Sequence, residues 1–277
     1  MEYEELAIVV VGFDGYSALW THFFELFYTY WQDCPYPVYL LTNEKEFQYK
    51  SVKTIKIGKN DEWSNKIIKS LAIIQEKYIC LLLEDFFVSE KIHNSEINGM
   101  IEFMKENHID YIKMPYKGQY NVIKRKKFHN NSNYFRIYED EDYGINLLPS
   151  IWERNFLIKK VGDDNYTPWQ FEIDRLNESE NAEHILFKNC LEVRTNPFNI
   201  LNGVVQGKIL PDTFKILKRK GYSLSDTKFE VMEWEKYLFL KFKIFAVIYL
   251  PKKIQNPIKR IMRIFNVKFV RESRNKR

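Results

Sequence analysis

The chain reads as an α/β protein: a Rossmann-like, mostly parallel sheet flanked by helices, with a helical, basic C-terminal extension. Three observations predict this. Short apolar runs alternate with segments of helical periodicity through the first half, the pattern of βαβ units. The run Tyr78–Leu83 is wholly apolar, as suits a strand buried on both faces. From Lys236 to Arg277 there are eight Lys and five Arg against one Glu, a net +12, although the whole chain of 277 residues carries only +5.

Leu6–Val11 is the first apolar run and predicts a strand, followed by a turn at Gly12-Phe13-Asp14-Gly15-Tyr16. A helix follows, with Leu19, Trp20, Phe23, Phe24, Phe27, Tyr30 and Trp31 on one broad face. Pro35 and Pro37 end it, and Val38–Leu41 predicts the next strand. Val52–Ile57 alternates as a third strand closed by Gly58, and a helix from about Ser64 carries Ile67, Ile68, Leu71 and Ile74 as a stripe. After the strand Tyr78–Leu83 come a helix bearing Ile97, Met100, Ile101 and Met104 and a strand near Ile109–Met114. The polar stretch Lys117–Asp142 reads as a loop or hairpin excursion over the cleft. Ile145–Leu148 predicts a strand and Ser150–Ile158 a short helix. Thr167-Pro168-Trp169-Gln170 is a helix start, with Thr167 as N-cap, Pro168 in the first position and Gln170 closing a capping box. Glu172 lies three residues beyond Trp169, on the same side of that helix.

With 45% hydrophobic and 16% aromatic residues, the chain can bury a substantial core, organised as a body over residues 1–235 and a tail over residues 236–277. Cys34, Cys80 and Cys190 stand far apart without CxxC spacing, which favours a reducing compartment and argues against structural zinc. The first residues, MEYEELAIVVVG, carry acids where a secretory signal needs basic residues, so a cytoplasmic location is expected. No G-x-G-x-x-G or G-x-x-x-x-G-K-[ST] is present, which weighs against a dinucleotide oxidoreductase and a P-loop ATPase. The five histidines show no ligand spacing, and H-E-x-x-H and G-x-S-x-G are absent, so zinc and serine hydrolases have little support.

The run Tyr78–Leu83 ends in two adjacent carboxylates, Glu84 and Asp85. Open α/β sheets bind ligands beyond the carboxyl ends of their strands. Acids at that point stand where a divalent cation and a nucleoside diphosphate would sit, since Mg²⁺ uses one or two carboxylates together with substrate phosphates.

The segments VVVGFDGYSALW (Val9–Trp20), DEWSNKIIKSL (Asp61–Leu71), LLLEDFF (Leu81–Phe87), LPSIW (Leu148–Trp152), TPWQFE (Thr167–Glu172) and NGVVQGKI (Asn202–Ile209) stand in an order that spans roughly the first 210 residues. Taken together they resemble a GT-A-fold glycosyltransferase of bacterial polysaccharide and lipopolysaccharide clusters. The resemblance implies a nucleotide-sugar donor and a surface-glycan acceptor carried on a lipid. It implies that Asp14 and Tyr16 contact the nucleotide, that Trp63 and Ser64 sit near the donor, and that Glu84-Asp85 takes the place of the D-x-D metal motif. The residue types agree in kind: Tyr16 offers a stacking surface, Asp14 an acceptor, and a helix starting near Ser64 presents free N–H groups.

The chain departs from the family at Glu84-Asp85-Phe86, where the second acid of a strict D-x-D is missing. A Mn²⁺ or Mg²⁺ cofactor held by Asp85 and a metal-independent enzyme that uses Lys or Arg on the leaving diphosphate therefore both stay open. Lys208 is a candidate for the second arrangement, because a Lys point charge commonly binds phosphate. An inverting transferase needs a carboxylate to take the acceptor's proton. Glu172 is the candidate base, near a helix N-terminus whose dipole favours an acid, with Trp169 able to stack on a sugar face and Asp163 and Asp164 as alternatives. The incomplete motif also leaves open a non-catalytic nucleotide-binding or assembly subunit. A sugar nucleotidyltransferase is a third option, with its glycine-rich loop reduced here to Gly12 and Gly15.

The tail predicts an anionic partner. Asn256-Pro257 is a helix start, after which Ile258, Ile261, Met262 and Phe265 fall on one face with Lys259, Arg260 and Arg263 off it. Such a basic amphipathic segment suits peripheral attachment to the inner face of an anionic membrane. No other feature resembles a nucleic-acid recognition module.

Overall fold

In a computed structural model, which describes residues 5–115, 126–194, 196–224 and 227–249, the six apolar residues of β1 (Leu6–Val11) form a fully buried interior strand of the sheet. A short 3₁₀ helix (Asp14–Leu19) leads into α1 (Trp20–Tyr30), whose aromatic face is buried as expected except for the part-buried Tyr30, with Trp31 beyond its end fully buried. β2 (Val38–Thr42), β3 (Lys53–Lys56), α2 (Trp63–Leu71) and β4 (Tyr78–Leu83) complete the predicted alternation. β1 pairs in parallel with β2 on one side and β4 on the other, and β3 adds in parallel beyond β2. The carboxyl ends of β1, β2 and β4 therefore lie together, Val11 opposite both Leu41 and Leu83.

β5 (Phe86–Val88), α3 (Asn94–Asn107), β6 (Tyr111–Lys113), β7 (Lys127–Phe128), β8 (Asn131–Tyr138), β9 (Ser150–Glu153), α4 (Arg154–Val161), α5 (Pro168–Asn181), β10 (Leu186–Val193) and β11 (Ile200–Asn202) follow in order. The main sheet has nine strands in the order β3-β2-β1-β4-β9-β6-β10-β8-β7. Only β9 and β8 run against the rest, so the sheet is mixed and largely parallel, the Rossmann-like arrangement expected of a GT-A-like fold. β5 turns away from β4 and pairs with β11 in a separate antiparallel ribbon.

The second half differs from the sequence expectation in three places. Ile145–Leu148 is a loop: Asn146 folds back, its Nδ2 donating to the Tyr143 carbonyl at 3.0 Å and its Oδ1 accepting from the Leu148 N–H at 3.0 Å. The strand falls instead on Ser150–Glu153, where a helix was expected. Inserted between β4 and β6, these residues find backbone partners on both sides, and that context outweighs a short helical pattern. α4 begins only at Arg154, with Glu153 as its N-cap accepting from the Phe156 N–H at 2.8 Å. The excursion predicted over the cleft contains a hairpin, but β7 and β8 extend the sheet beyond β10. His129 and Asn130 close that hairpin with positive φ, 44° and 61°, as a two-residue primed turn requires. Lys124 and Arg125 of its basic run lie outside the described residues.

The chain divides into two compact units, Met1–Gly203 with Leu224–Lys228, and Val204–Ser223 with Phe229–Arg277. The second therefore begins upstream of Lys236. It holds the hairpin β12 (Val204–Val205) and β13 (Lys208–Ile209), then α6 (Pro211–Arg219) and α7 (Trp234–Tyr249). Leu210, Met232 and Tyr237 form its small core. The amphipathic pattern expected at Ile258, Ile261, Met262 and Phe265 lies outside the described residues.

One ion pair is wholly inside the larger unit. Lys113 and Glu192 face each other in register on β6 and β10, 3.0 Å apart, each side chain less than 5% exposed. Lys113 also donates to the Tyr143 carbonyl at 3.1 Å. Breaking a buried pair from one side leaves an uncompensated charge, so Glu192→Gln is expected to cost about 3–5 kcal/mol. Urea unfolding checks this, and Lys113→Met combined with Glu192→Leu should recover most of the loss, since a matched apolar pair removes both charges.

Candidate functional site

The carboxyl ends of β1, β2 and β4 carry the polar network of the larger unit. After Val11, Gly12 approaches closely: a Cβ there would meet Leu40 and the Leu41 carbonyl at 3.0 Å and the Trp20 indole at 3.1 Å. The turn then presents Phe13, 57% exposed, edge-on to Tyr16 with ring centroids 6.1 Å apart. These two rings are the aromatic surface at this edge of the sheet. Phe13 was not singled out from the sequence, where it reads as an ordinary turn residue.

Asp14 points into the network. Its carboxylate accepts from the backbone N–H groups of Asn43 (2.9 Å), Glu44 (2.9 Å) and Lys45 (3.0 Å), fastening the loop after β2 to the turn after β1. Burial works against its ionisation, yet those three N–H groups together hold the carboxyl below its usual range. The Lys45 ammonium returns to the Asp14 carbonyl at 3.0 Å and the Ser17 hydroxyl at 2.6 Å, and the Lys228 ammonium reaches the Gly15 carbonyl at 2.7 Å. Two cations thus border the turn.

Glu84 is turned inward. Both its oxygens accept from the Phe13 N–H, at 3.0 and 3.1 Å, and one accepts from the Trp20 indole N–H. Burial pushes its carboxyl up to about 8, against the pull of those donors. Asp85, the next residue, is half-buried at the mouth of β4. Its carbonyl accepts from the Gly203 N–H at 2.7 Å, and a Cβ at Gly203 would meet that same oxygen at 2.7 Å, so glycine alone fits against this backbone.

Lys66 joins these pieces. It projects from α2, is 4% exposed, and donates to the Gly12 carbonyl and to Asn43 Oδ1, both at 2.8 Å. Burial lowers the pKa of its ammonium while the charges of Glu84 and Asp14 pull it back up. The sequence offered a signal that was not read: Lys66 stands one position before Ile67, on the buried stripe Trp63, Ile67, Ser70 and Leu71. A lysine on an apolar stripe needs partners at its tip. Lys113 at the end of the strand YIK, and Glu192 between the buried Leu191 and Val193, carry the same signal.

The second group of candidates gathers where α2 meets α5. Trp63 is buried, packed on Tyr166 (6.3 Å between centroids) and Phe171 (5.0 Å). Ser64 is fully buried, its hydroxyl donating to the Asp164 carbonyl at 2.7 Å and accepting from the Tyr166 N–H at 2.8 Å. Its own N–H goes to the Tyr166 carbonyl at 3.1 Å, and the Glu62 N–H goes to Asn165 Oδ1 at 2.9 Å. The loop before α5 thus takes two N–H groups at the start of α2 that the sequence reading left for a ligand, and these contacts moor α5 to α2.

α5 starts at the expected cap, with Thr167 accepting from the Gln170 N–H at 3.3 Å and Pro168 in its first turn, but the Gln170 amide runs forward to Asp174 Oδ1 at 2.7 Å instead of back to close a capping box. Trp169 is 60% exposed. Glu172 is half-buried and accepts from the Leu147 N–H; burial raises its pKa, partly offset by that donor. Leu147 stands three residues before β9, whose first residue lies opposite Leu81 near the mouth of β4. Lys208 lies in the second unit, where it pairs with Glu230 at 3.3 Å and Glu233 at 3.7 Å.

Among the described residues, no group of three or more His, Cys, Asp or Glu gathers as metal ligands. With Glu84 committed to Phe13 and Trp20, a divalent cation here would take Asp85 and substrate phosphate oxygens, a pattern usual for Mg²⁺.

No family model matches the chain, and no curated protein matches it. Solved structures with a similar fold include residues 1–349 of S. aureus TarS in complex with UDP, at 10% identity and a TM-score of 0.46, covering 91% of this chain and 77% of that one. A cytidylyltransferase from Leptospira borgpetersenii matches at 14% identity and a TM-score of 0.45, covering 90% and 98%. UDP-glucose pyrophosphorylase complexed with UDP-glucose matches at 9% identity and 0.42, covering 68% and 90%. Likenesses this distant name no reaction for the chain.

Replacing Lys66 tests whether the network is held as described. Lys66→Met strands the Gly12 carbonyl and the Asn43 amide and removes the charge facing Glu84. Hydrogen bonds to charged groups contribute about 1.5–3 kcal/mol each, so a loss of at least about 2 kcal/mol is expected in chemical denaturation. Lys69→Met, which removes an exposed partner of Asp61, should cost under about 1 kcal/mol.

Proposed function

We propose that the protein is a glycosyltransferase, which moves a sugar from a nucleotide-sugar donor to a glycan hydroxyl. The observation that carries this reading is the placement of Asp85 at the mouth of β4, beside the Phe13/Tyr16 turn of β1, with Glu172 held at the same edge through Leu147 and α2. The crevice beyond the carboxyl ends of a doubly wound sheet is where such folds take nucleotides.

In this reading the base stacks against the exposed ring of Phe13 and the part-buried ring of Tyr16, and the diphosphate lies toward Asp85. Asp14 is spent on residues 43–45 and shapes the turn rather than reaching the nucleotide. Lys45 and Lys228 supply positive charge next to the developing diphosphate. Asp85 would hold a divalent cation, which would supply positive charge for the leaving diphosphate. Glu172 takes the proton of the acceptor hydroxyl as that oxygen bonds to the anomeric carbon; the bond from that carbon to the phosphate oxygen breaks, and the nucleoside diphosphate leaves with the electron pair. A carboxylate with a raised pKa is the better base near neutral pH. Trp169, exposed one turn away on α5, offers a face for the acceptor sugar.

A panel of nucleotide sugars, with and without Mg²⁺ or Mn²⁺, tests the reading by binding and by slow hydrolysis of the bound donor. Asp85→Ala should abolish turnover. Glu172→Gln should lower kcat by about 10²–10⁴-fold and leave donor affinity unchanged. The parent's rate should rise with pH through a limb above the ordinary carboxylate range, because Glu172 accepts a proton only when ionised and burial raises its pKa; in Glu172→Gln that limb should vanish. Binding without turnover in the parent would favour a non-catalytic subunit, and consumption of a nucleoside triphosphate with release of pyrophosphate would make the protein a nucleotidyltransferase.

A further inference from the structure

α7 leaves a face uncovered. Tyr237 is buried and Leu240 packs beside it against Leu210 and Met232, which fixes the inward side of the helix. Asp212 secures this docking, accepting from the Tyr237 hydroxyl and from the Lys241 ammonium at 2.5 Å. Away from that core, Trp234 (54% exposed), Leu238 (59%), Phe239 (42%) and Phe242 (50%) stand in solvent. At about 100° per residue they share an arc of about 140°, an apolar stripe broken by Glu235. Glu235 lies within the arc, in the first helical turn where the dipole favours an acid. Lys236 and Lys241 flank it. Soluble proteins rarely leave four large apolar side chains together in water without a use for them.

We infer that this face lies on an anionic lipid bilayer. The charge of the chain selects that occupant: from Lys236 onward it carries +12, while the remainder carries −7. A tail of that sign is drawn to anionic headgroups, each Lys or Arg near the surface contributing on the order of 1 kcal/mol. Aromatic and leucine side chains then enter the boundary between headgroups and acyl chains as flanking lysines stay with the headgroups. No helix among the described residues is long and apolar enough to cross a membrane. The inference stands apart from the transferase reading, and its test reads lipid binding alone.

Full-length protein is sedimented with vesicles of phosphatidylcholine alone and of phosphatidylcholine mixed with phosphatidylglycerol, while tryptophan emission is recorded. Binding to the anionic vesicles, weakening with salt and accompanied by a blue shift that Trp234→Phe removes, is the expected result. Leu238→Ser with Phe242→Ser should weaken partitioning by about ten-fold or more while circular dichroism and melting stay as in the parent. Vesicle binding unchanged in that double variant would mean that tail charge acts alone and would overturn the inference. So would absence of binding by the parent, or a parent dimer that the double variant splits into monomers, which would make a second copy the occupant. Trp234→Glu, read in the same assay, gives an independent answer should the double variant fold poorly.

Discussion

The buried ammonium of Lys66 holds the candidate site together. It spans the Gly12 carbonyl at the end of β1 and the Asn43 side chain after β2, with the charges of Glu84 and Asp14 close by. The sheet alone brings three strand ends side by side, but it does not hold their turns in one shape. Asp14 ties the second turn to the first, and Glu84 caps the first through Phe13 and Trp20. Lys66 balances both carboxylates from below. Removing water from so many charges is costly unless each finds a partner, which is why this corner is a network rather than a set of separate contacts.

The same helix joins the two halves of the site. α2 carries Lys66 toward the turns of β1 and β2, and at its start Trp63 and Ser64 grip Tyr166, Phe171 and the carbonyl of Asp164. The position of Glu172 follows from that grip and from Leu147, not from the sheet directly. Residues that resemblance placed beside the donor thus act in this structure as mooring points: Ser64 and Trp63 are buried, while Phe13, Tyr16 and Trp169 present rings at the surface. A rigid base under an exposed aromatic rim is the division of labour that a binding site on a sheet edge needs.

The larger unit was legible in its first half because β1, β2 and β4 are largely apolar runs, β3 alternates, and the helices carry apolar stripes. Tyr78–Leu83 and its two terminal acids sit where the pattern put them. The antiparallel β9 was not legible, since Ser150–Glu153 is four residues long and owes its conformation to partners far away in sequence. At the site, the pattern located Glu84 and Asp85 at the strand end but not the inward turn of Glu84, which depends on the Phe13 N–H and the Trp20 indole. Lys66 was visible only as an oddity, a charge on an apolar stripe. The uncovered face of α7 was likewise hidden, because an apolar run does not say which of its sides a core will take.

A crystal structure of the protein soaked with a nucleoside diphosphate tests the location of the site most directly. The account predicts an ordered diphosphate against Asp85 at the mouth of β4, with the base on the Phe13 and Tyr16 rings and the Lys66 network unmoved. A nucleotide bound away from the carboxyl ends of β1 and β4, or no nucleotide in that crevice at saturating concentration, would contradict it.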